Sequence, residues 1–387
     1  MKPLLKLAIK ILVGNKSKYI SLILGLAFAT LIVTQQSSIF IGLIARTYAF
    51  IGDTSQGDIW VMNNQVEFVD DVKMMKSSDL NRVRSVEGIK WAVPIYKGIV
   101  NTTLLNGNIQ SCVLVGIDNA TLIGGPPIMV SGKIEDLRQT NGLIVDETGA
   151  REKLFHTDSK GNKIPAALGD ELEINGKRAV IVGSCKVSRT FQFQPRLYMT
   201  FENALQVIPK QRNNLTFILA KSLPGEDKKL LCKKIKERTG LAAYDGKEFE
   251  TLTLKYYMKN TGIPINFGIA VLLGLIIGAS IAGQTFYSFV LDNIPTLATF
   301  KAMGASDKTI VLMTLVQVVF VGTIGWGLGI GAASLFGLLL RGTELSFYLH
   351  WKLLLASGLL NLLICALASF LSLKAIFKLE PAQVLRR

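Results

Sequence analysis

The sequence predicts a membrane protein with four transmembrane α-helices and one large α+β domain, which is inserted between helices 1 and 2 and lies outside the cytoplasm. Three observations predict this fold. The 387 residues are 49% hydrophobic and have a mean hydropathy of +0.38, which is high for a soluble protein of this size. Four segments lack any charged side chain, and each is long enough to cross a bilayer. A long stretch of mixed polarity separates the first of these segments from the second.

The charge-free segments contain 27, 32, 32 and 21 residues. A helix needs roughly 20 apolar residues to cross the hydrocarbon core. The first segment is too long for a secretory signal peptide and no small-residue cleavage site follows it, so we interpret it as a retained anchor. We predict transmembrane helices 1 to 4 at residues 19–45, 260–291, 309–340 and 352–374.

The second segment is longer than a bilayer requires. A helix over all of it would measure about 48 Å at 1.5 Å per residue, whereas the hydrocarbon core is about 30 Å thick. Tilting absorbs only part of such an excess. We therefore expect part of 260–291 to form a stalk beyond the bilayer.

The distribution of charge predicts the topology. The formal net charge is +15, and basic residues flank the spans at both ends of the chain. The positive-inside rule therefore places both termini in the cytoplasm, and nucleic-acid binding is not expected because the basic residues lie beside membrane spans. The other predicted segments are a cytoplasmic amphipathic helix at 1–18, the outer domain at 46–259, a cytoplasmic helix at 292–308, a short outer loop at 341–351 and a cytoplasmic tail at 375–387.

The segment 1–18 has apolar residues on one helical face and lysines four residues apart on another. This pattern is typical of a helix that lies on an anionic membrane surface. A simple cytoplasmic extension of the first span is the alternative.

The outer domain has mixed strand and helix patterning and is large enough to fold around its own core. Asn175-Gly176 lies between two alternating segments, which is a strong indication of a β-hairpin. We predict further strands at 58–61, 110–115 and 178–182, and helices at 78–86 and 224–238.

Few residues are suited to metal binding or catalysis. Two histidines in the whole chain give little support to a zinc site or a histidine-dependent triad. Four cysteines occur without C-x-x-C spacing, and the three in the outer domain permit at most one disulfide, so buried or free thiols are the favoured interpretation. These cysteines are Cys112, Cys185 and Cys232, with Cys365 in the last span.

Two intramembrane patterns have more than one interpretation. Thr34, Gln35, Gln36 and Ser37, followed by Ser38, form a polar cluster in the outer part of span 1. It is either a gate or substrate-facing patch, or a site of hydrogen bonding between helices. Glycines also recur at four-residue spacing, which indicates close helix packing within the chain or in a dimer. These pairs are Gly274 with Gly278, Gly325 with Gly329, and Gly327 with Gly331.

The segment between spans 2 and 3 has the features of a short helix. Asp292 or Asn293 can cap it, Pro295 fits its first turn and Gly304 can end it. A cytoplasmic partner could bind such a helix and displace it. An ordinary loop between the two spans is the alternative interpretation.

This segment resembles the coupling region of FtsX-like permeases. The run Thr299-Phe300-Lys301-Ala302-Met303-Gly304-Ala305-Ser306 is similar to the family pattern, as is the tail 379–386 with its Pro-Ala-x-x-Leu-Arg ending. The run 55–61 resembles the start of the outer domain of MacB-type permeases. The residue sequence of the coupling run is most similar to that of the DevC/HrtB-like branch. Ile294-Pro295-Thr296 departs from the charged stretch that many members carry before this helix, so the resemblance implies no charge contact to the ATPase at these three residues.

The resemblance implies a MacB-type periplasmic core domain and a non-catalytic permease subunit of an ABC exporter in the bacterial inner membrane. The chain lacks a G-x-x-x-x-G-K-[ST] loop, so a separate ATPase subunit is expected to bind ATP and Mg²⁺. The residues implied to couple to it are Leu297, Phe300, Lys301, Ala302, Met303, Gly304 and Ala305.

The resemblance also implies a permease homodimer with two ATPases. A membrane-fusion (adaptor) protein and an outer-membrane duct depend on the cell envelope. No charged residue lies in a span, which favours export of a hydrophobic or amphiphilic substrate by opening and closing of the outer domain over a polar midplane pathway.

Three alternatives stay open at this stage. One is an FtsX-like protein that transmits force to an extracytoplasmic partner without transport. Another is a permease that extracts lipoproteins or lipids. A membrane-anchored sensor or enzyme is the third, although no constellation typical of a kinase, cyclase or hydrolase is visible.

Overall fold

A computed structural model describes residues 2–157, 162–209, 215–340 and 343–377. These divide into two compact units, one formed by 1–43 with 262–387 and the other by 44–261. Four helices in the described part of the chain are long and apolar enough to cross a membrane. The predicted class, a four-helix membrane protein with an inserted α+β domain, is therefore confirmed.

The first unit is helical. Helix α2 begins in this unit and continues without interruption to Asp53, so its last residues belong to the second unit. The helices of the first unit are α1 (Lys2–Gly14), α2 (Lys16–Asp53), α8 (Ile263–Asp292), α9 (Ile294–Ala302), α10 (Asp307–Leu339) and α11 (Trp351–Phe377).

The predicted N-terminal helix 1–18 ends earlier than expected. Asn15 separates α1 from α2, and its Oδ1 accepts a hydrogen bond from the Lys18 backbone N–H at 3.3 Å, as an N-cap does. Ala8 and Leu12 of α1 are fully buried, and the Ala8 carbonyl accepts a hydrogen bond from Gln317 Nε2 at 2.9 Å. The helix therefore packs against α10 and does not simply extend span 1.

The glycine pairs separate into two groups. A Cβ on Gly274 would lie 2.7 Å from Ile32, and one on Gly278 would lie 2.3 Å from Ala29, so both let α8 approach α2. A Cβ on Gly329 would lie 2.6 Å from Thr30, also on α2. Gly325 lies equally close to α2, whereas Gly327 and Gly331 have no described atom within 4 Å of that position. Packing within the chain thus accounts for the first two pairs.

The second unit contains a ten-stranded mixed sheet in the order β12-β1-β11-β2-β3-β10-β5-β9-β4, with β8 pairing with β2 and β9, and a separate ribbon of β6 and β7. The strands are β1 (Ile59–Met62), β2 (Ile89–Thr103), β3 (Ile109–Ile117), β4 (Ile128–Ser131), β5 (Gly142–Asp146), β6 (Phe155–Thr157), β7 (Lys163–Pro165), β8 (Glu171–Ile174), β9 (Lys177–Lys186), β10 (Arg196–Thr200), β11 (Phe217–Ser222) and β12 (Ala242–Asp245). The helices are α3 (Ser77–Arg84), α4 (Glu147–Glu152), α5 (Phe201–Val207), α6 (Lys228–Thr239) and α7 (Gly246–Asn260), with a 3₁₀ turn at Ile134–Arg138.

Local sequence rules explain several of these elements. Asn175 and Gly176 have φ values of +49° and +80° and connect β8 to β9, as the predicted hairpin requires. Helix α6 starts later than predicted, because Asp227 caps it by accepting from Lys229 N, and Gly240 ends it at φ +71°. Helix α3, in contrast, starts at Ser77, one residue before the predicted start, and ends at Arg84, two residues before the predicted end.

The long strand β2 joins two parts of the sheet. Its first half pairs with β11 and its second half with β3 and β8. Phe50 and Ile51, from the last turns of α2, are buried in the core beside Trp60 of β1 and Phe249 of α7. The end of α2, which leads into the domain, and α7, the last helix of the domain, thus both pack into the same core.

Candidate functional site

The coupling segment is a short helix, α9, between α8 and α10. Asn293 precedes its first residue, Pro295 occupies its first turn and Gly304 follows its end at φ +92°, a left-handed conformation that glycine adopts readily. Its side chains are divided between two environments. Ala298 is buried, whereas Met303 is 78% exposed.

The predicted coupling residues lie in α9 or in the turn after it. Leu297 and Ala298 are in the middle of the helix, and Phe300 and Lys301 are partly buried. Lys301 Nζ lies 2.9 Å from Asp307 Oδ1, which ties α9 to the first residue of α10. Exposed apolar and small side chains then follow, at Ala302, Met303 and Gly304, with Ala305 partly buried. The predicted tail 379–386 lies outside the described residues.

The end of α8, which precedes α9, is fixed to the base of α2. Lys18 Nζ forms an ion pair with Asp292, the last residue of α8, and donates to Ser288 Oγ at 2.6 Å and to the Ser288 carbonyl at 3.1 Å. The amide of Asn15 also reaches Asp292 Oδ2 at 3.4 Å. The first turn of α2 is therefore tied to the last turn of α8, next to α9 in the chain.

The other end of α2 is held by a buried ion pair in the second unit. Asp53 Oδ2 lies 2.6 Å from Arg196 Nη1 of β10, and their side chains are only 11% and 2% exposed. Asp53 also accepts from the backbone N–H and the hydroxyl of Ser188, at 3.0 and 2.9 Å. Burial alone opposes a charge on Arg196, but its neighbours Tyr198 and Asp53 raise the pKa of the guanidinium above its usual range.

Phe50 lies one turn before Asp53 and faces two cations. The ring centroid is 5.3 Å from Arg196 Cζ and 5.3 Å from Lys97 Nζ, which is within the range of cation–π attraction. Lys97 is 5% exposed and forms an ion pair with Asp70. Burial lowers the pKa of Lys97, while Asp70 opposes that shift.

A cleft of about 580 Å³ opens beside Lys97. Its sides come from β2, from α7, from the segment 68–74 and from the loop 190–194, and this volume is typical of sites for small molecules. Ser188, which binds Asp53, begins the same loop that supplies Thr190 and Phe191 to the cleft. The end of α2 is thus two residues away from the wall of the cleft.

The predicted gate residues lie within α2. Thr34 and Ser38 are fully buried, and their hydroxyl groups have no hydrogen-bond partner among the described atoms. Gln35, Gln36 and Ser37 are partly buried. The structure brings no other predicted site residue to them, so their role as a gate stays a prediction.

Sequence reasoning missed the ion pairs and the cleft. Lys97 lies between apolar and small residues in the middle of β2, Arg196 begins the otherwise mostly apolar strand β10, and Asp53 is the first acidic residue after span 1. A lone charge inside a buried strand indicates a partner elsewhere, because an unpaired charge is costly to bury. The partner itself is distant in sequence and could not be named.

Comparison with known proteins agrees with this architecture. The model of the MacB-like periplasmic core domain matches residues 20–238, more than half of the chain, and that of the FtsX-like permease C-terminal region matches 268–381. Among curated proteins, none matches the chain significantly.

Two solved structures are similar to part of this chain. The extracellular domain of the noncanonic ABC-type transporter YknZ from Gram-positive bacteria is 14% identical, with a TM-score of 0.35, and the match covers 49% of this chain and 98% of that one. The periplasmic region of MacB from Actinobacillus actinomycetemcomitans is 18% identical, with a TM-score of 0.38, over 55% and 96% of the two chains.

Four apolar helices, a core domain inserted after the first and a matching C-terminal region define a membrane-spanning permease subunit. The chain belongs to the MacB/FtsX-like permeases of ABC transporters, an assignment that rests on the two family matches. Subunits of this family are generally non-catalytic, work with ABC ATPase partners and often dimerise.

Proposed function

We propose that this chain is the permease subunit of an ABC exporter of the bacterial inner membrane. A separate ATPase subunit, which binds ATP and Mg²⁺, moves α9. The motion passes along α2 to the outer domain and opens or closes it around a hydrophobic or amphiphilic substrate. Both termini and α9 lie in the cytoplasm, and the domain 44–261 lies outside.

The observation that carries this proposal is the attachment of α2 at both ends. Lys18 ties its first turn to Asp292, directly before α9, and Asp53 ties its last residue to Arg196 in the outer domain. The backbone hydrogen bonds of α2 resist axial extension, so an axial displacement of its first turn would be passed on to its last turn. The cleft favours export over pure force transmission, since force transmission requires no cavity.

The test uses the permease purified with its ATPase in mild detergent. Lys301→Glu with Gly304→Trp should detach the ATPase or abolish its stimulation, because the changes reverse a charge and add bulk on the exposed side of the α9 turn. Lys352→Glu carries the same charge change at the start of α11 and should leave both unaffected. Lack of association between any ATPase and the wild type would overturn the proposal.

A second measurement tests whether α2 passes the motion on to the outer domain. Hydrogen–deuterium exchange of segments 66–75 and 187–195 should differ between nucleotide-free and nucleotide-bound complexes of the wild type. Asp53→Asn should keep the ATPase bound and remove that difference. If Asp53→Asn leaves the exchange response intact, the motion does not travel through this contact.

The proposed complex includes an adaptor protein and an outer-membrane duct where the cell envelope has an outer membrane, and the coupling run places the chain in the DevC/HrtB-like branch of this proposal. An FtsX-like role would be indicated by a cell-wall hydrolase as the outer partner. Purification from cross-linked cells distinguishes these partners.

A further inference from the structure

We propose that the cleft in the outer domain is a binding site for planar, apolar molecules that carry a cationic group. The apolar rings would stack on an aromatic wall, and the cation would lie at Asp70. Binding itself needs no nucleotide, and only the interpretation of the ligand as export cargo rests on the proposed function.

The aromatic wall is assembled from three separate parts of the chain. Phe68 and Tyr256 are stacked, with ring centroids 4.1 Å apart and an interplanar angle of 18°. Tyr257 contacts Phe68 edge-on at 5.6 Å and Phe191 at 5.1 Å. Aromatic rings bind planar ligands through stacking and edge contacts, and they dominate the lining of small-molecule sites.

The aromatic wall is distinct from the aromatic residues of the hydrophobic core. The aromatic residues of the core, Trp60, Phe217 and Phe249, are fully buried and contact one another. Phe68, Phe191 and Tyr256 instead remain partly exposed and line the cleft. Their open faces leave apolar surface in water, which a planar ligand would cover.

Strand β2 also lines the cleft, and its side chains leave the cleft open. A Cβ on Gly98 of β2 would lie 2.3 Å from the hydroxyl oxygen of Tyr96, so the ring of Tyr96 lies against the backbone of Gly98. Any other residue at this position would push that ring outward. The side chain of Tyr96 is only 1% exposed and leaves the cleft open.

The charges of the cleft favour a cation. Lys97 Nζ donates to Asp70 and to the Val69 carbonyl at 3.2 Å, and it also faces the Phe50 ring. Two of its three N–H groups therefore have acceptors, and at 5% exposure the lysine offers an anion little to bind. Asp70 is 42% exposed and uses Oδ1 for Lys97, whereas Oδ2 has no hydrogen bond within the described part of the chain.

A carboxylate oxygen beside electron-rich ring faces attracts cations by two effects. The carboxylate contributes a charge-assisted contact, and the rings contribute cation–π attraction. The nearby pair of Asp71 and Lys73 adds no net charge. The pair of Asp70 and Lys97 is also neutral overall, so what the site offers a positive group on an apolar, planar body is the second carboxylate oxygen of Asp70 beside the rings.

The experiment measures binding of two dyes to the full chain in nanodiscs of neutral phosphatidylcholine, without ATPase or nucleotide. Rhodamine 6G is planar and cationic, and fluorescein has the same fused-ring body with negative charge. Rhodamine 6G should bind with saturation and fluorescein should not. Equal binding of both dyes would overturn the proposed ligand class.

Variants then locate the site. Phe68→Leu and Tyr256→Leu keep apolar bulk but remove the stacked rings, so rhodamine 6G binding should weaken by about tenfold. Leu230→Ala changes an exposed apolar residue of α6 in the same domain and reports binding outside the cleft, including partition into the lipid. If both ring variants bind like Leu230→Ala, the cleft is not the site.

Two further variants test the charge in opposite directions. Asp70→Asn should weaken rhodamine 6G binding, and Asp71→Asn, its neighbour outside the cleft lining, should not. Lys97→Met releases Asp70 from its ion pair and should tighten binding. Weaker binding by Lys97→Met would mean that the lysine, and not the carboxylate, contacts the ligand. Because these assays contain no nucleotide, their failure leaves the coupling proposal untouched.

Discussion

Arg196 is the residue on which the connection between α2 and the outer domain depends. It keeps its charge at 2% exposure because Asp53 neutralises it and Phe50 lies over the guanidinium. Its Nε is buried without a partner in the described residues, so the site is held by the contacts of the two terminal nitrogens. The same side chain donates to the Ser188 carbonyl at 3.3 Å and thereby holds the loop beside the cleft.

Arg196→Met should therefore destabilise the outer domain. The change leaves Asp53 nearly buried without a counter-charge, and breaking a buried ion pair costs about 3–5 kcal/mol. Chemical unfolding followed by tryptophan fluorescence measures this free energy. Arg178→Met is the matched control, because Arg178 pairs with Glu171 on the exposed surface and its loss should have no measurable effect. Equal stability of the two variants would contradict a structural role for the buried pair.

The helices show which contacts hold the membrane unit together. Helix α10 carries two glycine pairs that are offset by two residues and so face different directions. Gly325 and Gly329 meet α2, whereas Gly327 and Gly331 are exposed. One face is therefore committed to packing within the chain, and the other is open to lipid or to another protein.

Gly329→Leu and Gly331→Leu should differ in thermal stability, because Gly329 lies on the packed face of α10 and Gly331 on the exposed face. At Gly329 a side chain would meet Thr30 Cβ at 2.6 Å and the Ala27 carbonyl at 2.7 Å, so α2 would be pushed away and the protein should lose thermal stability in detergent. At Gly331 the same leucine meets no described atom within 4 Å and the monomer should keep its stability. Size-exclusion after stepwise heating measures both, and similar losses in the two variants would show that the open face is also packed.

The helices and turns also show which parts of the fold could be predicted from the sequence. The four spans, the hairpin at Asn175-Gly176 and the α9 segment follow from local patterns, because charge-free length and turn residues act within a few residues. The ends of α2 did not follow from the charge-free rule, since the helix includes Lys16 and Lys18 and passes Arg46 to Asp53. Charges are excluded only from the hydrocarbon core, so a helix can continue beyond it.

The cleft could not be predicted for a different reason. Phe68, Lys97, Phe191 and Tyr256 are far apart in sequence, and only the order of strands in the sheet and the placement of α7 bring them together. No local pattern contains that order. Lys97 lies in a run of β2 that is buried at every position from 92 to 98, and nothing in this run indicates the aromatic residues around the lysine.

The whole molecule consists of two compact units joined by two passages of the chain. The first passage is the unbroken helix α2, and the second is the break at Thr261–Gly262 between α7 and α8. One connection is stiff and the other contains a residue without a side chain. The first passage is therefore helical throughout, and the second is not.

Fusions test the topology of this arrangement. Alkaline phosphatase inserted at Gly107, in the exposed turn between β2 and β3, should be active because it folds only outside the cytoplasm. Green fluorescent protein fused at the C-terminus should fluoresce because it matures in the cytoplasm. A phosphatase inserted at Gly304 should be inactive, and the reverse pattern would overturn the predicted orientation.

The state of the cysteines makes the native protein suitable for site-selective labelling. All four thiols are buried and unpaired, and burial raises the pKa of Cys112, Cys185 and Cys232 to about 12. Maleimides and spin-label reagents attack the thiolate, which is then scarce at neutral pH. A cysteine introduced at an exposed position such as Ile99 or Met258 would react selectively, so distances across the cleft become measurable in a chain that keeps its own four cysteines.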